Sequence, residues 1–268
     1  MHPLVQADLD LRDLSRLRAR ILEINPVLIV NAAAYTAVDA AESDIENARL
    51  VNAEAPRVMA ETARECQALL VHYSTDYVFD GMAISPYTEE SPAHPLGVYG
   101  ASKLAGEQAV AASGAAHLVL RTAWLYSNRG KNFLNTMLRL ATERNELRVV
   151  NDQTGCPTYA DLVAEVSLKI LDGMFDGGVL RTERCGLYHV ACQGETTWWG
   201  FARRIIELAG LGERVRVLPI TTADYPTAAK RPAYSMLSTG KLERVFGIRM
   251  PHWDDGLQRC LAERDTGG

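Results

Sequence analysis

A tyrosine and a lysine, Tyr99 and Lys103, lie four residues apart in a segment predicted to be helical. This spacing places both side chains on one helix face. A phenol is a weak acid–base catalyst at neutral pH, whereas a nearby ammonium favours the phenolate and lowers the phenol pKa. The pair therefore suits proton transfer to or from a substrate oxygen. Alone the pattern is weak, because it equally fits a half-buried tyrosine with Lys103 paired to Glu107.

Two predicted strand ends carry groups that suit a bound ligand. Ser74-Thr75-Asp76 closes the predicted strand at 69–74, and Asn31–Ala34 follows the predicted strand at 27–30. Ligands of open α/β sheets bind at the carboxyl ends of strands. A hydroxyl there can donate to a substrate carbonyl, and small side chains let a ligand approach the backbone. Each pattern alone also fits a helix cap or a tight turn.

Helices and strands alternate in the pattern that must position these groups. Predicted helices cover residues 11–24, 44–66, 99–112, 132–144, 161–174 and 198–209, and predicted strands cover residues 27–30, 69–74, 117–122, 147–151, 187–191 and 214–219. The alternation predicts a Rossmann-like α/β fold with a doubly wound parallel sheet. We expect residues 1–150 to form the dinucleotide-binding domain and residues 151–268 a smaller substrate lobe, partly interleaved with it.

Composition excludes several other classes of protein. The net charge of −5 does not favour binding to nucleic acid or to an anionic membrane. Five widely spaced cysteines and six scattered histidines give neither a disulfide framework nor a metal-ligand pattern, so no metal site is expected. Residues 1–20 lack the apolar stretch of a signal peptide, and no segment reaches the roughly 18 apolar residues of a membrane helix. A cytoplasmic protein is expected.

The occurrence of the three patterns in this order is more specific than any one of them alone. Six longer sequence segments extend the pattern. They are VNAAAYTAVDAAE (Val30–Glu42), HYSTDYVFDG (His72–Gly81), VYGASKLAGE (Val98–Glu107), RTAWLY (Arg121–Tyr126), NDQTGCPT (Asn151–Thr158) and RPAYSMLS (Arg231–Ser238). Across nearly the whole chain the sequence resembles the extended short-chain dehydrogenase/reductases, and within them the dTDP-4-dehydrorhamnose reductase family.

The resemblance implies roles for matching residues. Tyr99 would donate a proton to the sugar C4 oxygen, Lys103 would lower its pKa and hold the nicotinamide ribose, and Thr75 would bind the carbonyl. The implied cofactor-binding residues are Asp10, Leu11, Ala34, Tyr35, Thr36, Tyr73, Tyr99 and Lys103. The implied substrate-binding residues are Thr75, Asp76, Trp124, Asn151, Gln153 and Arg231. An arginine suits a diphosphate, although Arg231-Pro232 alone would fit a surface loop.

The resemblance also implies a reaction. It is the NADPH- or NADH-dependent reduction of dTDP-4-dehydro-L-rhamnose to dTDP-L-rhamnose, a precursor of cell-surface polysaccharide. The expected partner is the nucleotide-sugar, and a homodimer is one option for the assembly. The alternative is a non-catalytic nucleotide-sugar-binding or regulatory relative, or an inactive truncated copy. A reductase or epimerase for another nucleotide-sugar is disfavoured by the segments at 151–158 and 231–238.

One feature of the family is absent, namely an opening strand, glycine-rich turn and helix. The only glycines before Gly100 are Gly81 and Gly97. Three causes would each account for this, namely a misplaced start or truncation, a decayed gene copy, or a non-catalytic relative. We favour the first of them. We expect a gap between the strands around Leu28 and Leu69, and we expect the backbone site for the cofactor pyrophosphate to be missing. Turnover should therefore be poor, and an upstream extension should restore it.

The adjacent pair Trp198-Trp199 is the last conspicuous pattern. Neighbouring side chains on a helix point in different directions, so both rings cannot bind the same ligand. Core packing with one half-exposed ring is the favoured interpretation.

Overall fold

The computed structural model describes residues 2–266 of the chain. The α-helices are, in chain order, α1 (Leu14–Ile24), α2 (Val38–Ala41), α3 (Ile45–Arg49), α4 (Ala55–Glu65), α5 (Val98–Ala112), α6 (Phe133–Glu143), α7 (Ala160–Gly173), α8 (Trp198–Leu208), α9 (Gly240–Phe246) and α10 (Trp253–Thr266). The strands are β1 (Leu28–Asn31), β2 (Leu69–Thr75), β3 (His117–Thr122), β4 (Leu125–Tyr126), β5 (Glu146–Val150), β6 (Thr154–Gly155), β7 (Thr158–Tyr159), β8 (Phe175–Asp176), β9 (Val179–Leu180), β10 (Gly186–His189), β11 (Thr196–Thr197) and β12 (Arg216–Ile220). A π-helix covers Leu50–Glu54, and short 3-10 turns cover Asp76–Val78, Thr182–Arg184 and Thr222–Asp224.

Polar side chains set the starts of several helices. Asp13 accepts the Arg16 N–H at 3.0 Å, so α1 begins at Leu14 and not at Leu11 as predicted. Asn132 caps α6 in the same way by accepting the Asn135 N–H at 3.0 Å. Such caps satisfy amide groups that the first helical turn leaves unpaired. Within residues 2–266, no helix is both long enough and apolar enough to cross a membrane.

Four parallel strands form the main sheet in the order β1-β2-β3-β10. This confirms the predicted α/β fold. Leu28 lies opposite Leu69 and Asn31 opposite His72, so β1 and β2 are direct neighbours. The predicted gap between them is therefore wrong. Strands joined by one helical crossover commonly pair side by side, and any further strand on that side would run along the outer edge of β1, where Val30 is half exposed.

The long helix predicted for residues 44–66 is interrupted, and the interruption seats α5. Pro56 has no N–H to donate to the carbonyl of Asn52, and the chain adopts a π-turn there, with the Ala55 N–H bonding to Leu50. The Asn52 carbonyl lies so close to Gly106 of α5 that a Cβ at Gly106 would stand 2.1 Å from it. A residue without a side chain is therefore needed where α5 crosses this segment.

The second half of the chain contributes both to the main sheet and to smaller sheets. Strand β10 extends the main sheet beside β3, with Tyr188 opposite Leu120. Outside it, β12 pairs with β5 and β4 with β7 in parallel, whereas β11 pairs with β6 in the antiparallel direction. One hydrophobic core contains buried residues from both halves, including Leu69, Leu134 and Ile205. The division at residue 150 stays a prediction.

Candidate functional site

The end of β2 places three polar side chains at the carboxyl edge of the main sheet. Ser74, Thr75 and Asp76 are all buried. The Thr75 hydroxyl donates to Asp76 Oδ1 at 3.1 Å and accepts the Tyr77 N–H at 3.2 Å. Thr75 therefore caps the short turn, as the simpler interpretation predicts, and also faces the first turn of α5.

Helix α5 brings Tyr99 to this edge. The rings of Tyr77 and Tyr99 meet edge to face, with centroids 5.5 Å apart. Burial raises the pKa of the Tyr99 phenol above its ordinary value, and a hydrogen bond with Thr75 opposes this only in part. The direction is opposite to the lowering that the Tyr–Lys pattern predicts. Tyr99 consequently holds its proton at neutral pH, which suits a proton donor.

Lys103 lies one turn further along α5 and is 2% exposed. Its Nζ donates to the Tyr73 carbonyl at 2.6 Å and lies 3.4 Å from His72 Nε2. Burial lowers the pKa of Lys103 to about 8, against the opposing effect of Glu107. Lys103 does not contribute to the shift of the Tyr99 pKa, and its amino group bonds instead to the Tyr73 backbone carbonyl.

The alternative pairing of Lys103 with Glu107 does not form. Glu107 accepts two hydrogen bonds from Arg121 of β3, at 2.9 Å from Nε and 2.6 Å from Nη2. Both side chains of this ion pair are at most 8% exposed. The pair fixes α5 against the sheet immediately below the two residues predicted to be catalytic.

The Asp76 carboxyl is buried, which disfavours its ionised form. Burial raises the pKa of its carboxyl to about 6, although hydrogen bonds from Ser235 and Thr75 lower it. Its Oδ2 has no hydrogen-bond partner among the described residues. A buried acceptor of this kind is suited to receiving a donor from a ligand, such as a sugar hydroxyl.

Replacing Asp76 by Asn is expected to stabilise the chain mainly at high pH. The folded-state pKa of the Asp76 carboxyl lies above its ordinary value, so folding disfavours its ionisation. The resulting destabilisation of the folded chain is absent below about pH 4 and complete above about pH 6. Asp76→Asn should therefore raise the unfolding free energy by about 2–3 kcal/mol near pH 8 and by only about 1 kcal/mol near pH 4.5. Urea unfolding at both pH values measures this difference. Equal effects at the two pH values would contradict the assignment.

Trp124 is fixed in a strained position beside the same acid. Its backbone φ is 45°, in the left-handed region. Its indole N–H donates to the Ser235 hydroxyl at 3.2 Å, and its ring leaves no room for a side chain at Gly155, where a Cβ would come within 2.4 Å. Trp198 stacks on it with centroids 3.5 Å apart and planes 3° from parallel. Trp198 thus supports a predicted substrate-binding residue, which the core-packing interpretation did not anticipate.

The two segments predicted to hold the nucleotide-sugar pair with each other. The Thr154 N–H donates to the Ala233 carbonyl at 2.8 Å, and the Ser235 N–H donates to the Thr154 carbonyl at 2.9 Å. This brings both segments next to Trp124. Among the predicted side chains, Gln153 is buried and donates to Thr222, whereas Asn151 is exposed and accepts from Thr197.

Arg231 lies against Tyr77, with its Nη1 3.4 Å from the Tyr77 hydroxyl. Its guanidinium forms an ion pair with Asp39 at 2.6 Å and lies 5.8 Å from the Tyr77 ring centroid. Because Tyr77 also contacts Tyr99, Arg231 is linked to Tyr99 through one aromatic ring. Any anionic ligand here would share Arg231 with Asp39, so the predicted diphosphate contact stays a prediction.

Four predicted cofactor-binding residues meet at one cavity of about 1230 Å³. Asp10, Leu11, Ala34 and Tyr35 all line it, together with small side chains at Ala32 and Ala33 and the edge of β1. Thr36 is exposed and is not part of the lining. The Tyr73 hydroxyl bonds to Ser167 of α7 at 2.7 Å, so its phenol group is engaged elsewhere. None of the described lining residues is a glycine.

Several residues of the site were not predicted from the sequence. His72 contacts both Asn31 and Lys103, and Asn52 joins the cavity to α5 by bonding to the Tyr35 backbone and to Ser102. A lone histidine or asparagine within an apolar segment gives no spacing signal. Pro56, which accompanies the π-turn around Asn52, was the available clue.

Comparisons with known proteins agree with this geometry. The family described as RmlD substrate binding domain matches residues 1–266. A dTDP-4-dehydrorhamnose reductase of Burkholderia thailandensis is 44% identical over 267 residues, which is 97% of this chain and 90% of that protein. The solved dTDP-4-dehydrorhamnose reductase of Clostridium acetobutylicum superimposes with a TM-score of 0.91 at 37% identity, covering 98% of this chain and 90% of that one. A reductase of the same name from Bacillus anthracis, solved in complex with NADP, gives a TM-score of 0.90 at 37% identity, covering 98% and 89%. The chain belongs to the dTDP-4-dehydrorhamnose reductase family.

Proposed function

We propose that the chain catalyses the NAD(P)H-dependent reduction of the 4-keto group of dTDP-4-dehydro-L-rhamnose, giving dTDP-L-rhamnose. The observation that carries this proposal is the meeting of Thr75, Tyr99 and Lys103 at the carboxyl end of β2. Family membership adds the substrate, since relatives that match most of the chain are named for this reaction. We expect the reaction to take place in the cytoplasm and to supply a polysaccharide precursor.

Thr75, Tyr99 and Asp76 would each have a separate role toward the substrate. Thr75 and Tyr99 would both donate hydrogen bonds to the C4 oxygen, which polarises the carbonyl and stabilises the negative charge that develops there. Tyr99, whose raised pKa keeps it protonated, would then transfer its proton to that oxygen. Asp76 would accept a hydrogen bond from a neighbouring sugar hydroxyl through its unpartnered Oδ2.

The cavity fits part of a nicotinamide dinucleotide. Its small alanine side chains at the end of β1 allow close approach to the backbone, and Asp10 and Leu11 also line it. These residues would hold the cofactor, with Lys103 on the nicotinamide ribose. The bound cofactor supplies the hydride for the reduction. The choice between NADPH and NADH follows from no residue described above, although one solved relative carries NADP.

On the substrate side, the paired segments around Thr154 and Ser235 would enclose the nucleotide-sugar. Trp124, held by Ser235 and backed by Trp198, would pack on the sugar ring. Arg231 would contact the diphosphate, whose charge a planar guanidinium matches well. Gln153 and Asn151 lie on the same segment and would contribute from its two faces.

A second candidate function is binding of the nucleotide-sugar without chemistry. It is favoured by the absence of glycine from the described lining of the cavity, since glycine-rich turns are the usual means of holding a pyrophosphate against a helix. The intact Tyr99–Lys103 pair favours the enzyme. The two functions differ in whether a dinucleotide binds at all.

Calorimetry separates the two candidates. NADPH, NADH and dTDP are titrated separately into the full chain. Micromolar binding of a dinucleotide together with dTDP supports the reductase. Binding of dTDP alone supports the second candidate, and binding of neither would contradict both.

A further inference from the structure

A buried chain of hydrogen bonds runs beneath the catalytic helix, from Asn31 through His72 to Lys103. Asn31 Nδ2 lies 3.0 Å from His72 Nδ1, and His72 Nε2 lies 3.4 Å from Lys103 Nζ. Exposure is 4% for Asn31, 0% for His72 and 2% for Lys103. At such burial, unpaired donors and acceptors are costly, so the placement of hydrogens along this chain is strongly constrained.

The constraint begins at Asn31. Its Oδ1 accepts the Ala33 N–H at 3.2 Å, which identifies the other amide atom as the NH₂ group. That NH₂ group donates to His72 Nδ1, so Nδ1 must be the unprotonated ring nitrogen. A neutral imidazole has one acceptor and one donor, and the hydrogen therefore sits on Nε2. Because Nδ1 accepts from Asn31, the ring is not doubly protonated, and burial, which lowers the pKa of His72 well below its ordinary value, acts in the same direction.

The Nε2–H group then faces the lysine nitrogen. An ammonium has three hydrogens and no lone pair, so it cannot accept this hydrogen bond, whereas a neutral amine can. The amine can at the same time donate to the Tyr73 carbonyl, as the 2.6 Å distance requires. The whole chain of hydrogen bonds is satisfied only when Lys103 is uncharged.

We propose that His72, oriented by Asn31, is a positioning residue that stabilises the neutral amine of Lys103 by donating a hydrogen bond from Nε2. The other charged groups around the lysine do not offer the same bond. Glu107 on its own helix favours the ammonium, but its charge is matched by Arg121 of β3. The remaining close contact, from β2, is the Tyr73 carbonyl, which accepts from either form.

The consequence for catalysis concerns the return of a proton. Tyr99 loses its phenolic proton to the sugar oxygen, and the resulting phenolate must regain one. If the Lys103 ammonium gives that proton, it becomes the neutral amine for which His72 already supplies a donor, until a proton from solvent restores the ammonium. A lysine of ordinary pKa would hold its proton too tightly at neutral pH for this cycle.

The inference rests on the proposed reductase function for its catalytic meaning, but its test needs neither cofactor nor substrate. The chain has five lysines, so selective ¹³C-lysine labelling gives a resolvable NMR titration. We expect Lys103 to titrate at least one pH unit below the other four. In His72→Gln the side-chain carbonyl can accept from the ammonium, and the Lys103 titration should move upward by about one unit. His117→Gln, at a histidine whose Nδ1 bonds to the Ala115 carbonyl, is the matched control and should change nothing.

A second measurement covers the case in which the variant does not fold. Nitrogen-15 NMR of the unmodified chain reports which ring nitrogen of His72 is protonated. The Nε2–H tautomer supports the proposal. The Nδ1–H tautomer, or a Lys103 titration that coincides with the exposed lysines, would overturn it. Loss of reductase activity with the tautomer as expected would count against the proposed function and not against this chain of hydrogen bonds.

Discussion

Replacing Tyr99 by Phe is expected to lower kcat by about 10²–10⁴-fold, the contribution that a positioned general acid usually makes. The phenol of Tyr99 is protonated at neutral pH and would supply the proton for the C4 oxygen. The ring itself should stay in place, since its edge-to-face contact with Tyr77 does not involve the hydroxyl. Steady-state kinetics and dTDP binding, measured on the same preparation, check both halves of this expectation.

The control for this variant is Tyr225→Phe, because Tyr225 is 61% exposed and lies outside the site. It should leave kcat and dTDP binding unchanged. Retention of full activity by Tyr99→Phe would show that another group supplies the proton. A loss of dTDP binding in step with activity would instead point to a role in holding the substrate.

Breaking the buried pair of Glu107 and Arg121 is expected to have the largest effect on stability. Arg121→Met would leave the Glu107 carboxylate buried without its partner, at a cost of about 3–5 kcal/mol. The double variant Glu107→Met with Arg121→Met removes both charges and should recover most of that loss, because apolar side chains of similar volume can replace a buried pair. Denaturant unfolding of the three proteins gives the differences directly.

A surface pair supplies the comparison. Arg139 and Glu143 are four residues apart on α6, and both are about half exposed, so Arg139→Met should change the unfolding free energy by about 0.5 kcal/mol or less. If Arg121→Met proved equally mild, the pair would not be what fixes α5 to the sheet. A double variant no more stable than the single one would show that packing against Phe79 matters more than charge.

The candidate catalytic residues can be recognised in the sequence because they carry a spacing or a position, and their catalytic roles stay a prediction. Tyr99 and Lys103 share a helix face, and Thr75 closes a strand that is recognisable from its apolar run. The residues that tune them carry neither signal. Arg121 and Glu107 are fourteen positions apart and meet only through the packing of α5 on β3. His72 lies inside an apolar strand, where a lone histidine indicates nothing beyond burial.

The errors in the predicted fold have physical causes of the same kind. A sequence shows that Leu28 and Leu69 lie in strands but not which strands are neighbours, and the predicted gap between them came from an assumed strand order. The lowered Tyr99 pKa was inferred from a nearby lysine without knowing that the lysine is itself buried. Tertiary burial decides both the pairing and the sign of the pKa shift.

The most direct test of the proposed reaction is the transfer of deuterium to the sugar. The chain is incubated with dTDP-4-dehydro-L-rhamnose and NADPH or NADH carrying deuterium at nicotinamide C4, and the product is examined by NMR and mass spectrometry. A long incubation makes the result insensitive to slow turnover. The proposal predicts dTDP-L-rhamnose with a single deuterium at C4, formed about 10²–10⁴-fold more slowly by Tyr99→Phe. Recovery of unlabelled substrate, with dTDP still bound, would contradict the reductase and leave a nucleotide-sugar-binding protein.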